Sequence, residues 1–399
     1  MDIREKIDCI IDAGKEHFWA MADAIFDKPE LSFKETFASE LLANALKERG
    51  FAVHLGLGSL PTAFKAVYSQ GSDGPNIGLL CEYDALPMGH ACGHHLQGPA
   101  MVAAAEAIRQ CIGDQTPYTL TIYGTPAEEG GAGKLIMLKD GFLQDIDLAL
   151  MVHGGPATQI DVKSMAMQGV VVTFHGKSAH AALKPQAGRS ALDALLLSFQ
   201  GIEFLREHVA EDTRMHYTVL EAGGPENIVP QSAVGKFNIR SYNTDYLGDV
   251  LERVKKIIQG AALMTETEWT WNADPMMSRD GKIPSYMLND LVMENAAYYK
   301  APNIKGARQK TGSTDFGNVT YLIPGACLRI AFVDDGVSSH SQEYLDDGKT
   351  QRGHDAITFS AKIIAATAVE LIRFPEKVAA VQQEFQRTKE QLIKESHNA

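Results

Sequence analysis

The chain is predicted to be an α/β protein, a domain with a mainly parallel sheet flanked by helices, into which an α+β unit of order βαββαβ is inserted. Three observations carry that prediction. Short, continuously apolar runs such as Asn76–Cys81 read as central strands covered on both faces. Each is followed by a loop rich in candidate ligands and then by a helical pattern, which is one half of a βαβ unit. Between residues 169 and 273 the order becomes strand, helix, strand, strand, helix, strand, the split-βαβ arrangement of a four-stranded antiparallel sheet.

A length of 399 residues, 45% of them hydrophobic, supports a large core and more than one domain. The expected division is a discontinuous domain, 1–168 with 274–399, and a separate domain inserted into it over 169–273. A net charge of −13 argues against a nucleic-acid partner or an anionic membrane surface, because either needs clustered Lys and Arg. No apolar run is long enough for a membrane span, and the first residues lack the apolar core of a signal peptide. The five cysteines (Cys9, Cys81, Cys92, Cys111, Cys327) are odd in number and scattered, and read as reduced thiols. A cytoplasmic protein is therefore expected.

In chain order, apolar residues at three- and four-residue steps (Ile7, Ile11, Phe18, Met21, Ile25) predict a helix over 3–26, broken at Pro29. A second helix is expected over 35–49, closed by Gly50. Strand 76–81 then delivers Glu82-Tyr83-Asp84-Ala85-Leu86-Pro87 and the run Gly89-His90-Ala91-Cys92-Gly93-His94-His95, ahead of a helix over 97–111. Residues 118–123 alternate as a strand that exits through Pro126-Ala127-Glu128-Glu129-Gly130-Gly131 into a short helix over 134–139. Strand 148–152 ends at His153. The inserted domain is read as strand 170–175, helix 190–209, strands 216–221 and 233–239, helix 246–264 and strand 266–271. Beyond Pro275 come a helix over 285–299, a polar loop over 309–315, a strand over 326–333 leading to Ser338-Ser339-His340-Ser341, a helix over 354–373 and a charged, solvated C-terminal helix.

Ligands of open α/β sheets bind beyond the carboxyl ends of the strands, and here that edge is used four times. Cys92 and His94 follow the first strand, Glu128 and Glu129 the second, His153 the third and His340 the fourth. Taken alone, the run 89–95 stays open between metal site, thiol nucleophile and packing, since a lone Cys or His is ordinarily a core residue. Repetition at one sheet edge is what packing does not explain. Cys92 and His94 are two apart, so in an extended turn both face one point. Two divalent metals sharing a bridging ligand take about five protein ligands. Cys92, His94, His153, His340 and one Glu supply them, leaving the other Glu to take a proton from a metal-bridging water. Neighbours in an extended segment point to opposite sides, and Glu129 is assigned to the metal and Glu128 to the water. The donor set suits Zn2+, while Mn2+ or Co2+ is also tolerated; the expected cofactor is a pair of divalent ions per subunit.

The succession His-Ala-Cys-Gly-His, Pro-Ala-Glu-Glu-Gly-Gly, His-Gly-Gly-Pro, Gly-Lys-Ser-Ala-His-Ala-Ala and Ser-Ser-His-Ser resembles the M20 family of metallopeptidases. Within it, the similarity is to the amidohydrolase branch that holds aminobenzoyl-glutamate hydrolases, N-acyl-amino-acid hydrolases and M20 domain-containing dipeptidases. The resemblance implies a metal-dependent, two-metal catalytic domain over 1–168 with 274–399, a lid or dimerisation domain over 169–273 through which a homodimer forms, and hydrolysis of an amide joining an acyl or aminoacyl group to an amino acid. It makes Cys92 the ligand shared by both metals, His94, Glu129, His153 and His340 the others, Glu128 the general base and Asp84 the carboxylate that orients a ligand. It also implies that His180 stabilises the oxyanion in the partner's active site, and that Asn227 and Arg240 hold the substrate's carboxylate. His95 departs from the branch, which has Asp or Asn there.

Two other classes compete. A thiol-dependent hydrolase would use Cys92 as nucleophile and a histidine as base, but gives no reason for paired Glu and further strand-end histidines. A non-catalytic metal-containing binding protein would close its site with four ligands and leave no free base.

Overall fold

The computed structural model describes residues 2–396; residues 397–399 of the expected catalytic segment lie outside them. The chain divides into two compact units, Met1–Lys163 with Lys282–Lys389, and Ser164–Gly281 with the chain end from Glu390. Its strands are β1 (Ala52–Leu57), β2 (Leu60–Gln70), β3 (Asn76–Cys81), β4 (Tyr118–Gly124), β5 (Leu148–Gly155), β6 (Gln159–Ser164), β7 (Ala166–His175), β8 (Arg214–Glu221), β9 (Ser232–Ser241), β10 (Glu268–Arg279), β11 (Arg308–Thr311) and β12 (Gly325–Ala331). Eight of them join in the order β1-β2-β4-β3-β5-β12-β6-β11, and four in the order β10-β7-β9-β8.

In the first unit β3, β4, β5 and β12 run parallel, so their carboxyl ends share one edge. Apolar residues fill β3 and β5, and every residue of β5 is buried. The helices Gln97–Cys111 and Gln351–Arg373 pack into the same core, the first through Ala100, Ala103, Ala104 and Ala107, whose small side chains let backbones approach closely. The hairpin β1–β2 lies antiparallel beside β4 and was not legible as strands, because β1 is mostly exposed and β2 carries Pro61 and Lys65 among its apolar residues. The polar loop expected over 309–315 begins instead as β11, the last strand of its sheet, where charged residues are tolerated at an edge.

In the second unit the antiparallel ladder runs from Ala166 to Arg279, past a bulge between Asp274 and Ser278, and so extends beyond 169–273 at both ends. Along β9 buried and half-exposed residues alternate strictly. Phe174, Phe237 and Ile239 pack with Leu195 and Ile202 of the helix Ala191–Leu205 and with Val250, Val254 and Ile258 of the helix Thr244–Thr265. Both helices are capped at their N-termini, by Ser190 and Asn243, whose side chains accept from Asp193 N and Tyr246 N. Among the described residues no helix is long and apolar enough to cross a membrane.

Candidate active site

Four strand ends bring the site together. Past β3 the chain turns at Gly93, whose φ of +81° suits a residue without Cβ, and enters a short helical turn, His94–Leu96. The His94 ring is fully buried, with Nδ1 3.1 Å from both the carbonyl oxygen and Oδ1 of Asp84. Both are acceptors, so Nδ1 carries the proton and Nε2 presents its lone pair. The same logic holds at the end of β5, where His153 Nδ1 donates to Gly154 O at 2.8 Å and Nε2 lies 3.6 Å from Cys92 Sγ. Asp84 also accepts from the Glu129 backbone N–H at 3.0 Å and from Ser32 Oγ at 2.8 Å, tying the exits of β3 and β4 together.

Glu128 and Glu129 are not in an extended segment. Ala127 takes a left-handed φ of +59°, its N–H donating to Glu35 at 2.8 Å, and Glu128–Gly131 then forms a helical turn. Their side chains therefore diverge by about 100° rather than 180°. Glu129 Oε1 lies 4.0 Å from His94 Nε2 and 3.3 Å from His340 Nε2. His340 itself holds φ at +67°, pinned by its N–H to Ala91 O at 2.8 Å.

The donor atoms of Cys92, His94 and His153 lie within 4.8 Å of one another, as do those of Cys92, Glu129 and His340. Cys92 is common to both groups, which is the arrangement of two ions sharing one thiolate. His94 Nε2 and Glu129 Oε1 are buried and have no hydrogen-bond partner. Burial opposes a charge on His94, yet Cys92, Glu82 and Asp84 together raise its pKa well above the usual histidine range, so the pocket favours a cation. The residues present fit a pair of divalent ions.

Glu128 joins a third group with His94 and Glu129. Burial first, then the charges of Glu82 and Asp315, push its carboxyl up to about 8. The Cys92 thiol is pushed up to about 12, chiefly by burial. His95 is fully buried, donates from Nε2 to Gly348 O at 3.0 Å and packs edge-on against Phe26.

In the second unit, Ala181 N donates to Asn227 O at 2.8 Å and His180 bridges Ile228, so His180 and Asn227 share one exposed rim. Arg240 sits near the opposite end of β9, half-buried, its Nε on Asn238 Oδ1 at 2.9 Å. Within one protomer the rim and Arg240 are separated by most of a ten-residue strand.

Sequence reasoning passed over Glu82, Lys134, Asp315 and Arg329. Glu82 follows β3 directly, and the strand-end criterion applied to its neighbours marks it equally. Lys134 is fully buried, its Nζ 2.6 Å from Glu82 Oε1 and 2.7 Å from Asp315 Oδ1, and no pattern signals a buried lysine. Arg329 on β12 pairs in register with His153, and its Nε donates to Asp161 at 2.9 Å.

A parallel sheet whose carboxyl ends converge three His, one Cys and paired Glu, together with a separate antiparallel unit, defines a metal-dependent hydrolase of linear amides. The chain belongs to the M20 family of metallopeptidases and amidohydrolases. Residues 164–265 match the peptidase dimerisation domain of that family. One of the two subunits of the p-aminobenzoyl-glutamate hydrolase of Escherichia coli K12 is 31% identical, across 97% of this chain and 95% of that protein. The Xaa-Arg dipeptidase of Mus musculus is 30% identical, across 94% and 90%. Among solved structures, the YXEP protein of Bacillus subtilis, described as a dinuclear metal binding peptidase of the M20 family, aligns with a TM-score of 0.71 at 20% identity, over 91% of this chain and 99% of that one.

Proposed function

We propose that the protein cleaves the amide bond of an N-acyl amino acid or dipeptide-like substrate, with Glu128 as general base. One observation carries this reading: Glu128 shares a group with His94 and Glu129, is only half-buried, and makes no hydrogen bond among the described residues. The names of the relatives support the substrate class, since aminobenzoyl-glutamate and Xaa-Arg dipeptides each contain an amide joined to an amino acid.

Cys92, His94, Glu129, His153 and His340 would hold two divalent ions, Zn2+ by the donor set, with Mn2+ or Co2+ as alternatives. When bound, such a pair supplies Lewis acidity at the amide carbonyl and acidifies water at neutral pH. Glu128 takes the proton of the attacking water on its carboxylate and passes it to the leaving nitrogen. Asp84 fixes the His94 ring and the Glu129 backbone at once. His180 of the partner subunit donates to the oxyanion. Asn227 lies in the loop before β9 and Arg240 near the far end of that strand, so the two would not meet one carboxylate from the same lid. Asn227 would act with His180, and Arg240 remains a second candidate for holding the substrate's carboxylate.

This division assigns the chemistry to residues 1–168 with 274–399 and the homodimer contact to the lid, 169–273. Its supports are the dimerisation-domain match and the exposed Val219 and Leu220 on β8, which ends its sheet. The five free cysteines support a cytoplasmic site of action. The thiol reading fares worse, because burial holds Cys92 as a weakly nucleophilic thiol. The test is a screen of N-acyl amino acids and dipeptides with metal-reconstituted enzyme. Turnover that survives exhaustive chelation, or an acyl adduct trapped on Cys92, would sink the proposal.

A further inference from the structure

Beside the three groups already described lies a fourth, made of carboxylates alone. One carboxylate oxygen from each of Glu82, Glu128 and Asp315 falls within 4.8 Å of the others. Three carboxylates at that spacing repel one another and attract a hard cation. The chain supplies its own. Lys134 Nζ donates to Glu82 Oε1 at 2.6 Å and to Asp315 Oδ1 at 2.7 Å, while the Lys134 backbone N–H donates to Asp315 Oδ2 at 3.0 Å. Lys134, Glu82 and Asp315 are each fully buried. Glu82 is held further by Gln97, which donates from Nε2 at 2.8 Å and accepts the Glu82 N–H at 3.0 Å.

The hydrogen bonds of this cluster are unevenly shared. Both acidic neighbours of Glu128 are tied to the ammonium, whereas Glu128 receives none of its donors. A buried ion pair of this kind holds only when the geometry satisfies both partners, and the clamp on Asp315 from both backbone and side chain does so. It also fixes the first turn of the helix Gly133–Lys139, two residues past the Glu128–Gly131 turn.

We propose that Lys134 is a positioning residue: its ammonium is the resident cation of the Glu82–Glu128–Asp315 cluster, keeping divalent metal out of it and leaving the Glu128 carboxylate uncommitted for the reaction. The inference rests on the reading of Glu128 as base. It concerns charge placement, and Lys134 itself touches no substrate.

The test is Lys134→Met, an unbranched neutral replacement, dialysed against Mn2+ and compared with the wild type for bound metal and kinetics. The wild type takes up two ions per chain; the variant takes up a third, with kcat down about 100-fold and KM within about threefold, since the missing charge acts on the base rather than on binding. Adding Asp315→Asn to Lys134→Met dismantles the cluster while keeping an acceptor for the 134 N–H. It returns the count to two and restores kcat at least about tenfold over the single variant, a rescue that lost packing would not give. Two ions and a kcat within about threefold of wild type in Lys134→Met overturn the proposal. Should that variant fail to fold, Asp315→Asn alone decides. It leaves Lys134 free to turn to Glu128, and kcat falls at least about tenfold with two ions retained; a kcat within about threefold overturns it. Full activity in Glu128→Gln would instead remove the reading of the base and leave the ion count of Lys134→Met standing, so the two failures are told apart.

Discussion

In the eight-stranded sheet β5 is buried at every residue, whereas in the four-stranded sheet β9 alternates buried and half-exposed residues along its whole length. The difference follows from strand direction. Parallel strands are joined by crossovers that cover both faces, so only their ends meet solvent, and there Cys92, His94, Glu128, Glu129, His153 and His340 collect. Antiparallel strands need cover on one face only. The second sheet therefore keeps a free face and an unpaired edge strand, β8, with Val219 and Leu220 exposed. One sheet gathers its candidate ligands at its ends; the other, in the unit that matches a peptidase dimerisation domain, leaves a strand unpaired at its side.

The sharpest way to break that contrast is at the strand ends. Glu128→Gln is expected to retain its metal, measured by elemental analysis, and to lose about 10²–10⁴-fold in kcat, the range of a general base. Next comes the free edge. Val219→Lys with Leu220→Lys places two cations on β8, and sedimentation should report a monomer with an unchanged circular dichroism spectrum. Loss of the partner's His180 would then cut turnover about 10²–10³-fold, the effect of one oxyanion donor; a monomer of full activity would remove His180 from the mechanism. Third, Phe237→Ala, inside the small core, should destabilise that unit by about 3–5 kcal/mol in denaturant unfolding.

The smallest effect is a pH dependence lodged in the large unit. Glu35 is buried, accepts from Thr62 and Ala127, and its carboxyl is pushed up to about 7, first by burial. The unfolded chain ionises it near 4.5 while the folded chain keeps it protonated, so this group's stabilisation is complete below pH 4.5 and is lost as pH rises to about 7. In Glu35→Gln that decline should vanish, leaving a difference of about 3 kcal/mol between variant and wild type above pH 7. Parallel stability curves for the two proteins across this window would show that Glu35 is already charged in the fold.

Much of this was open to reading along the chain because parallel strands and their exit loops are local. Asn76–Cys81 and Gln97–Cys111 end where their apolar patterns end, and the Cys, His and Glu residues lie within a few positions of those ends. The β1–β2 hairpin and β11 are edge elements; half-exposed strands carry little hydrophobic signal, and pairing alone defines them. The helical turn at Glu128 was equally out of reach, since its left-handed entry at Ala127 depends on a hydrogen bond from residue 127 to Glu35, far back in the chain.

By itself, the order of residues determined the α/β class, the inserted βαββαβ unit and the kinds of donor at each strand end, because periodicity and motif chemistry are written within short windows. Only the tertiary structure decided which donors meet. Cys92 joins one pair from His94 and His153 and another from Glu129 and His340, and Lys134 finds Asp315 from the other end of the chain. Those distances are set by sheet order and register, which depend on contacts between residues far apart in sequence.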